Sequence, residues 1–205
     1  REGRLGDVFD GAIDDAIEAS PVPDAARAGL VRAAGANTDA LDRLAADPAT
    51  LQALLAVTSA SRSLTRLVET DPAALDVLAD LDAPVAVTAT SPERLVATRA
   101  LEYLRIAARD LAGIDELEAT GAALAALGRD VLAGACELAG ADHLAVIGMG
   151  KLGGDELNYA SDIDVMFVGE GEPVAMIRSA RTVLELAGRC VRVDANLRPE
   201  GRDGP

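Results

Sequence analysis

The residues best suited to chemistry lie in one stretch, 146–168, which reads VIGMGKLGGDELNYASDIDVMFV. Asp162-Ile163-Asp164 sets two carboxylates two positions apart at the start of an apolar, β-branched run. Along a strand, side chains alternate between faces, so both carboxylates share one face while Ile163 and Val165 take the other. A third acid, Asp194, sits in a second such run at Val193-Asp194-Ala195. Ahead of the pair, Gly153-Gly154 offers a turn whose backbone can approach a ligand closely. Hard divalent cations take oxygen ligands, and Mg2+ binds through a few carboxylates together with substrate phosphates. Two such ions can stabilise both the attacking and the leaving oxygen of an in-line displacement at phosphorus. Each piece alone has a plainer explanation: a solvated acidic pair, an ordinary turn, a strand end. Their order and spacing point together to nucleotidyl transfer.

Two other phosphate motifs fit less well. Gly148-x-Gly150-x-x-Gly153 matches the dinucleotide fingerprint and follows a predicted strand. That fingerprint must open a crossover helix. Only Asp155 to Ser161 separate Gly154 from Asp162, too few for one. The P-loop pattern is absent, since Leu152 follows Lys151.

The elements that must hold these residues fall into two regions. Residues 1 to about 140 read as successive helices. Leu5–Ala19 carries Val8, Phe9, Ala12, Ile13 and Ile17 at helical spacing. Asp47-Pro48, Asp71-Pro72 and Ser91-Pro92 each place a capping side chain before a proline at the first helical position. A helix from 91 runs to about Leu111 and another from about Asp115 to Leu138. Segment 83–90 reads as a linker or a short extended piece. The pattern then changes: strands at 143–147, 163–168 and 190–195, with a helix over 174–188. The expected fold class is α+β, a helical bundle over 1–140 followed by a small mixed sheet with helices over 141–205. Three strands make a small sheet, and the catalytic domain is expected to be incomplete at its C-terminal end.

Composition agrees with a helical lead-in. Of 205 residues, 50% are hydrophobic but only 2% aromatic, so the core must rest on Ala, Leu and Val. The formal charge of −15 argues against a general nucleic-acid binder, which needs a basic footprint. There are 19 basic residues, and the one lysine, Lys151, falls inside the glycine-rich loop. Lysine is a point-charge binder of phosphate. Cys136 and Cys190 read as reduced core residues of a cytoplasmic protein. No apolar run is long enough to predict a membrane span.

GMGKLGGDELNYASDIDVMFV closely resembles the signature of the glutamine synthetase adenylyltransferase family, the bifunctional adenylylating and deadenylylating enzymes. VDANLRPEGRDGP resembles the family's third-acid segment. Leu54–Leu78 and Arg105–Asp110 are similar to its helical part, so the resemblance covers most of residues 50–205. It implies a polymerase-beta-like nucleotidyltransferase fold, Mg2+ or Mn2+, and ATP or ADP as nucleotide. Asp162, Asp164 and Asp194 would be the catalytic metal ligands and Gly153 and Gly154 the phosphate turn. Lys151, Ser161 and Arg198 would be further contacts to the nucleotide or phosphate. The implied partners are glutamine synthetase and a PII-type signalling protein. Family members carry two such domains: one attaches AMP to a tyrosine of glutamine synthetase, the other removes it by phosphorolysis, releasing ADP. Asn158, Ala160 and Ile163 side with the N-terminal, removing version. Two departures stand out. Gly169–Asp194 is short for the family, and Asp155 stands where arginine is more usual.

Overall fold

The computed structural model describes residues 11–36 and 46–195. Contacts divide the chain into two compact units. The first comprises the residues up to Pro84 together with Leu104–Asp115. The second comprises Val85–Tyr103 and the residues from Glu116 onward.

The first unit is helical: α1 (Gly11–Glu18), α2 (Pro23–Ala36), α3 (Pro48–Ala60), α4 (Arg62–Thr70), α5 (Ala73–Ala79) and the last two turns of α6 (Pro92–Leu111). Its helix starts follow from the caps. Asp47 accepts the Ala49 N–H at 3.1 Å, with Pro48 opening α3. The hydrogen bond from Thr50 is the main cause holding the Asp47 carboxyl below its ordinary range. Ser61 closes α3 and, through its hydroxyl, caps α4 at the Leu64 N–H. Ile17, Leu30, Leu54, Val57 and Leu78 are fully buried among these helices. Gly29 allows α2 to approach α3, because a Cβ there would lie 2.4 Å from the Thr58 Cβ.

One charged cluster pins the unit's loops. Arg109 donates to both oxygens of Asp115 at 2.8 Å, to Asp82 at 2.6 Å and to the Leu81 carbonyl at 3.1 Å. Its hydrogen bond to Asp115, then that to Asp82, raises its pKa. The same bond holds the Asp115 carboxyl below its ordinary range.

In the second unit, segment 85–90 is extended but joins no sheet. Its backbone is held by side chains of α6: Glu102 accepts the Val85 N–H at 2.7 Å and Thr98 the Thr88 N–H at 3.0 Å. Helix α7 (Leu117–Ala139) follows and ends on Gly140 in the left-handed region, φ 59°. Then come β1 (Leu144–Gly148), a single turn α8 (Gly150–Gly153), β2 (Ile163–Gly169), α9 (Pro173–Gly188) and β3 (Val193–Asp194). The sheet order is β1-β2-β3, with β1 and β2 antiparallel and β2 and β3 parallel. Helices α7 and α9 pack on each other and on the sheet. Ile163, Val165, Val183 and Ala187 are fully buried there.

The result is an α+β chain, mostly helical with one small mixed sheet. The expected strand over 190–195 shrinks to two residues, because the Cys190 and Val191 N–H groups still bond to the Ala187 carbonyl and finish the turn of α9. Cys136 and Cys190 are half-buried, not core residues, and burial pushes both thiols up. The change from helices to mixed structure falls at residue 140, whereas the compact units divide at 84/85, 103/104 and 115/116. The first half of the expected Leu5–Ala19 helix lies outside the described residues. Among the described residues, no helix is long and apolar enough to cross a membrane.

Candidate active site

The carboxylates share the open face of the sheet. Along β2 the residues alternate: Ile163 and Val165 are buried, while Asp164 is half-exposed and Met166 and Val168 are exposed. Asp162 precedes the strand on the same face as Asp164. Asp164 pairs directly with Asp194 across the parallel β2–β3 ladder. Opposite residues on neighbouring strands, about 4.8 Å apart, point to the same side. All three acids therefore lie on one face at the start of β2. Ile147, Met166 and Val168, each 40–48% exposed, extend that face as an apolar strip.

The glycine turn abuts the acids by backbone. The Met149 N–H donates to the Asp164 carbonyl at 2.9 Å. Gly150 then adopts φ 53°, and a Cβ on it would lie 3.1 Å from an Asp164 carboxylate oxygen. Gly150 thus meets two demands that a side chain would defeat: left-handed backbone and close approach to an acid. At Gly153 a Cβ would come 2.7 Å from the Gly148 carbonyl oxygen, so that glycine serves packing against β1. At Gly154 the same test meets only ordinary contacts, and the position is exposed. The Gly153 and Gly154 N–H groups donate to the Met149 and Gly150 carbonyls. The Gly-Gly pair therefore shapes the turn without offering its own N–H groups, and the donors left without a helical carbonyl are those of the first turn of α8. Lys151 is exposed on that turn.

The loop between α8 and β2 is organised locally. Asn158 Oδ1 accepts the Ala160 N–H at 3.1 Å and the Ser161 hydroxyl at 2.8 Å. Ser161 is thus engaged in the turn that presents Asp162. Tyr159 packs edge-on against Tyr103, ring centres 5.6 Å apart, and the Arg99 guanidinium lies 4.4 Å over the Tyr103 ring. Burial lowers the Arg99 pKa. Asp155 takes a left-handed backbone, φ 56°, and pairs with Arg129. Arg198 lies outside the described residues.

Two participants were not picked from the sequence. Gly150 was counted only within a motif that was set aside. Arg192 donates to an Asp162 oxygen at 2.8 Å, with its own side chain 82% exposed. In the parallel register Arg192 is opposite Asp162, one step before Ile163↔Val193, and that register is the signal that links them. Among the described residues, no group of three His, Cys, Asp or Glu side chains is placed to hold a metal ion. The donor set itself suits a hard divalent cation: carboxylates on one face, with a guanidinium standing in as the cation on Asp162. A cleft of about 420 Å³ lined by Arg129, Leu132, Cys136, Val146 and Leu152 lies on the opposite side of β1, away from the acids.

Comparison with known proteins adds a family. Residues 137–185 match the family GlnE, glutamate-ammonia ligase adenylyltransferase. The chain is 36% identical over 233 aligned positions to the bifunctional glutamine synthetase adenylyltransferase/adenylyl-removing enzyme of Streptomyces coelicolor, covering 93% of this chain and 23% of that protein. It is 39% identical over 215 positions to the enzyme of the same name from Streptomyces avermitilis, covering 94% and 20%. It is 38% identical over 171 positions to that of Mycobacterium avium, covering 68% and 17%. The chain spans less than a quarter of the length of these relatives. The longest of these alignments exceeds the chain's own 205 residues, so that relative carries extra residues within the matched region.

Proposed function

From its kinship with the glutamate-ammonia ligase adenylyltransferase family, we propose that this chain carries a nucleotidyltransferase site that removes AMP from the adenylylated tyrosine of glutamine synthetase. The observation that carries this reading is the placement of Asp162, Asp164 and Asp194 on one open sheet face, beside a glycine turn that touches Asp164. A phosphate oxygen attacks the α-phosphorus of the tyrosine-linked AMP, and the bond from phosphorus to the tyrosine oxygen breaks in line. ADP forms and the tyrosine oxygen recovers a proton. Asp162, Asp164 and Asp194 would hold Mg2+ or Mn2+, which when bound neutralises charge on the phosphate oxygens. Lys151 supplies a further positive charge at the turn. The exposed face leaves room for a protein tyrosine to reach the acids.

Asn158, Ala160 and Ile163 favour removal over attachment. The reverse direction, transfer of AMP from ATP, uses the same in-line geometry, and the relatives' printed names include both activities. The test supplies adenylylated glutamine synthetase, Mg2+ and inorganic phosphate and measures ADP. A parallel reaction supplies unmodified glutamine synthetase and labelled ATP. ADP in the first supports removal; label on tyrosine with no ADP in the first assigns attachment instead. A PII-type protein is the proposed regulator, checked by its effect on the ADP yield.

A further inference from the structure

Arg192 gives the acidic face a feature that the reaction scheme does not require. Three carboxylates on one face repel one another, and the structure meets part of that repulsion with a guanidinium on Asp162 at 2.8 Å. Arg192 is opposite Asp162 in register, and its preceding neighbour in the ladder is fixed by backbone: the Ile163 N–H donates to the Arg192 carbonyl at 2.9 Å. The backbone of Arg192 is thus fixed while its side chain, 82% exposed, is free to turn. The other arginines near the site have different partners: Arg189 donates to Glu93 and Arg129 to Asp155.

We propose that Arg192 is a placeholder cation: it occupies Asp162 while no metal is bound, and turns to the phosphate oxygens of the nucleotide when metal and nucleotide arrive. This rests on the reading of Asp162 as a metal ligand. Two physical points carry it. An exposed ion pair is cheap to break, worth roughly two- to fivefold in an equilibrium constant, so exchange for a divalent ion costs little. Guanidinium is a planar donor fork that fits phosphate as well as carboxylate, so the displaced side chain has a second anion to bind.

The proposal predicts opposite signs for two ligands. In the full chain, Arg192→Gln should strengthen binding of Mn2+ alone by roughly two- to fivefold, because a competitor for Asp162 is gone. The same variant should weaken binding of Mn2+–ATP, because a phosphate contact is gone. Free Mn2+ measured by electron paramagnetic resonance reads the first, and calorimetry reads the second. Arg192→Lys, which keeps the charge, should stay near the parent on Mn2+ alone. A merely structural arginine would move both ligands the same way or neither, and either result overturns the proposal. Asp162→Asn separates the two layers. If it abolishes Mn2+ binding while Arg192→Gln leaves Mn2+ unchanged, the placeholder fails and the metal site stands. If Asp162→Asn leaves Mn2+ binding unchanged, the metal site fails and the placeholder with it.

Discussion

The two units of this chain use charge and apolar surface in opposite ways. In the first, charged groups tie loops together: Arg109 joins Leu81, Asp82 and Asp115, and apolar side chains such as Leu54 and Leu78 are buried. In the second, the sheet buries one face and leaves the other open, with acids and exposed Ile147, Met166 and Val168 side by side. A sheet needs only one packed face to be stable, so the other is available for chemistry. The difference teaches where damage should be read as lost stability and where as lost function.

The largest expected effect falls on the open face. Asp164→Asn should take phosphorolysis to background without lowering the midpoint of thermal unfolding, since it relieves repulsion among like charges. A large fall in that midpoint would move Asp164 from chemistry to structure and erase the contrast. Next comes the buried interior of the first unit. Leu54→Ala should cost about 3 kcal/mol in denaturant unfolding, through lost burial and the cavity left behind. A cost under about 1 kcal/mol would show a core that collapses freely.

Arg109→Ala should cost about 2 kcal/mol by removing hydrogen bonds between charged groups. The linked pH dependence has a definite sign. The Asp115 carboxyl titrates below its ordinary value when folded, so its contribution is complete above the ordinary carboxylate range, near pH 4. It is lost as pH falls through the lowered folded value. Stability of the parent should therefore drop in acid below about pH 4, and the drop should be shallower in Arg109→Ala. Equal acid slopes would contradict the role of the pair.

The smallest stability change is expected at Gly154, where a Cβ meets only ordinary contacts. Gly154→Val should stay within about 0.5 kcal/mol of the parent yet weaken nucleotide binding by crowding the phosphate approach. Gly150→Ala sharpens the point, because the left-handed backbone there should cost about 1–2 kcal/mol. If both glycines tolerate substitution with parent-like affinity, the turn does not approach phosphate.

Much of this was legible in the residues. Asp47-Pro48 marks the start of α3 because capping and the fixed proline φ act within three residues. The alternation of Ile163, Asp164 and Val165 gives the strand and its two faces directly. What escaped depends on partners distant in sequence. Segment 85–90 is held by Thr98 and Glu102, ten and seventeen residues on, and such bonds leave no periodic trace. The 190–195 strand was overlong because Cys190 and Val191 bond back to Ala187 of α9. Gly150 outranks Gly153 and Gly154 beside Asp164 only once the fold brings Asp164 against it. Asn158, read as a mark of reaction direction, also has a plain local task in shaping the turn with Ser161.

The third acid reaches its neighbours by a route with a consequence for a cut chain. Glu170, Gly171 and Glu172 form an exposed bend between β2 and α9, so a protease nick there would part Asp162 and Asp164 from Asp194. Strand β3 pairs over only two residues and cannot hold the pieces together by itself. The buried Val183 and Ala187 of α9 can, so the nicked halves should co-elute in gel filtration and separate when Val183 is made Asp. The acidic face would then behave as a split reporter, whose reassembly is governed by a helix on the far side of the sheet.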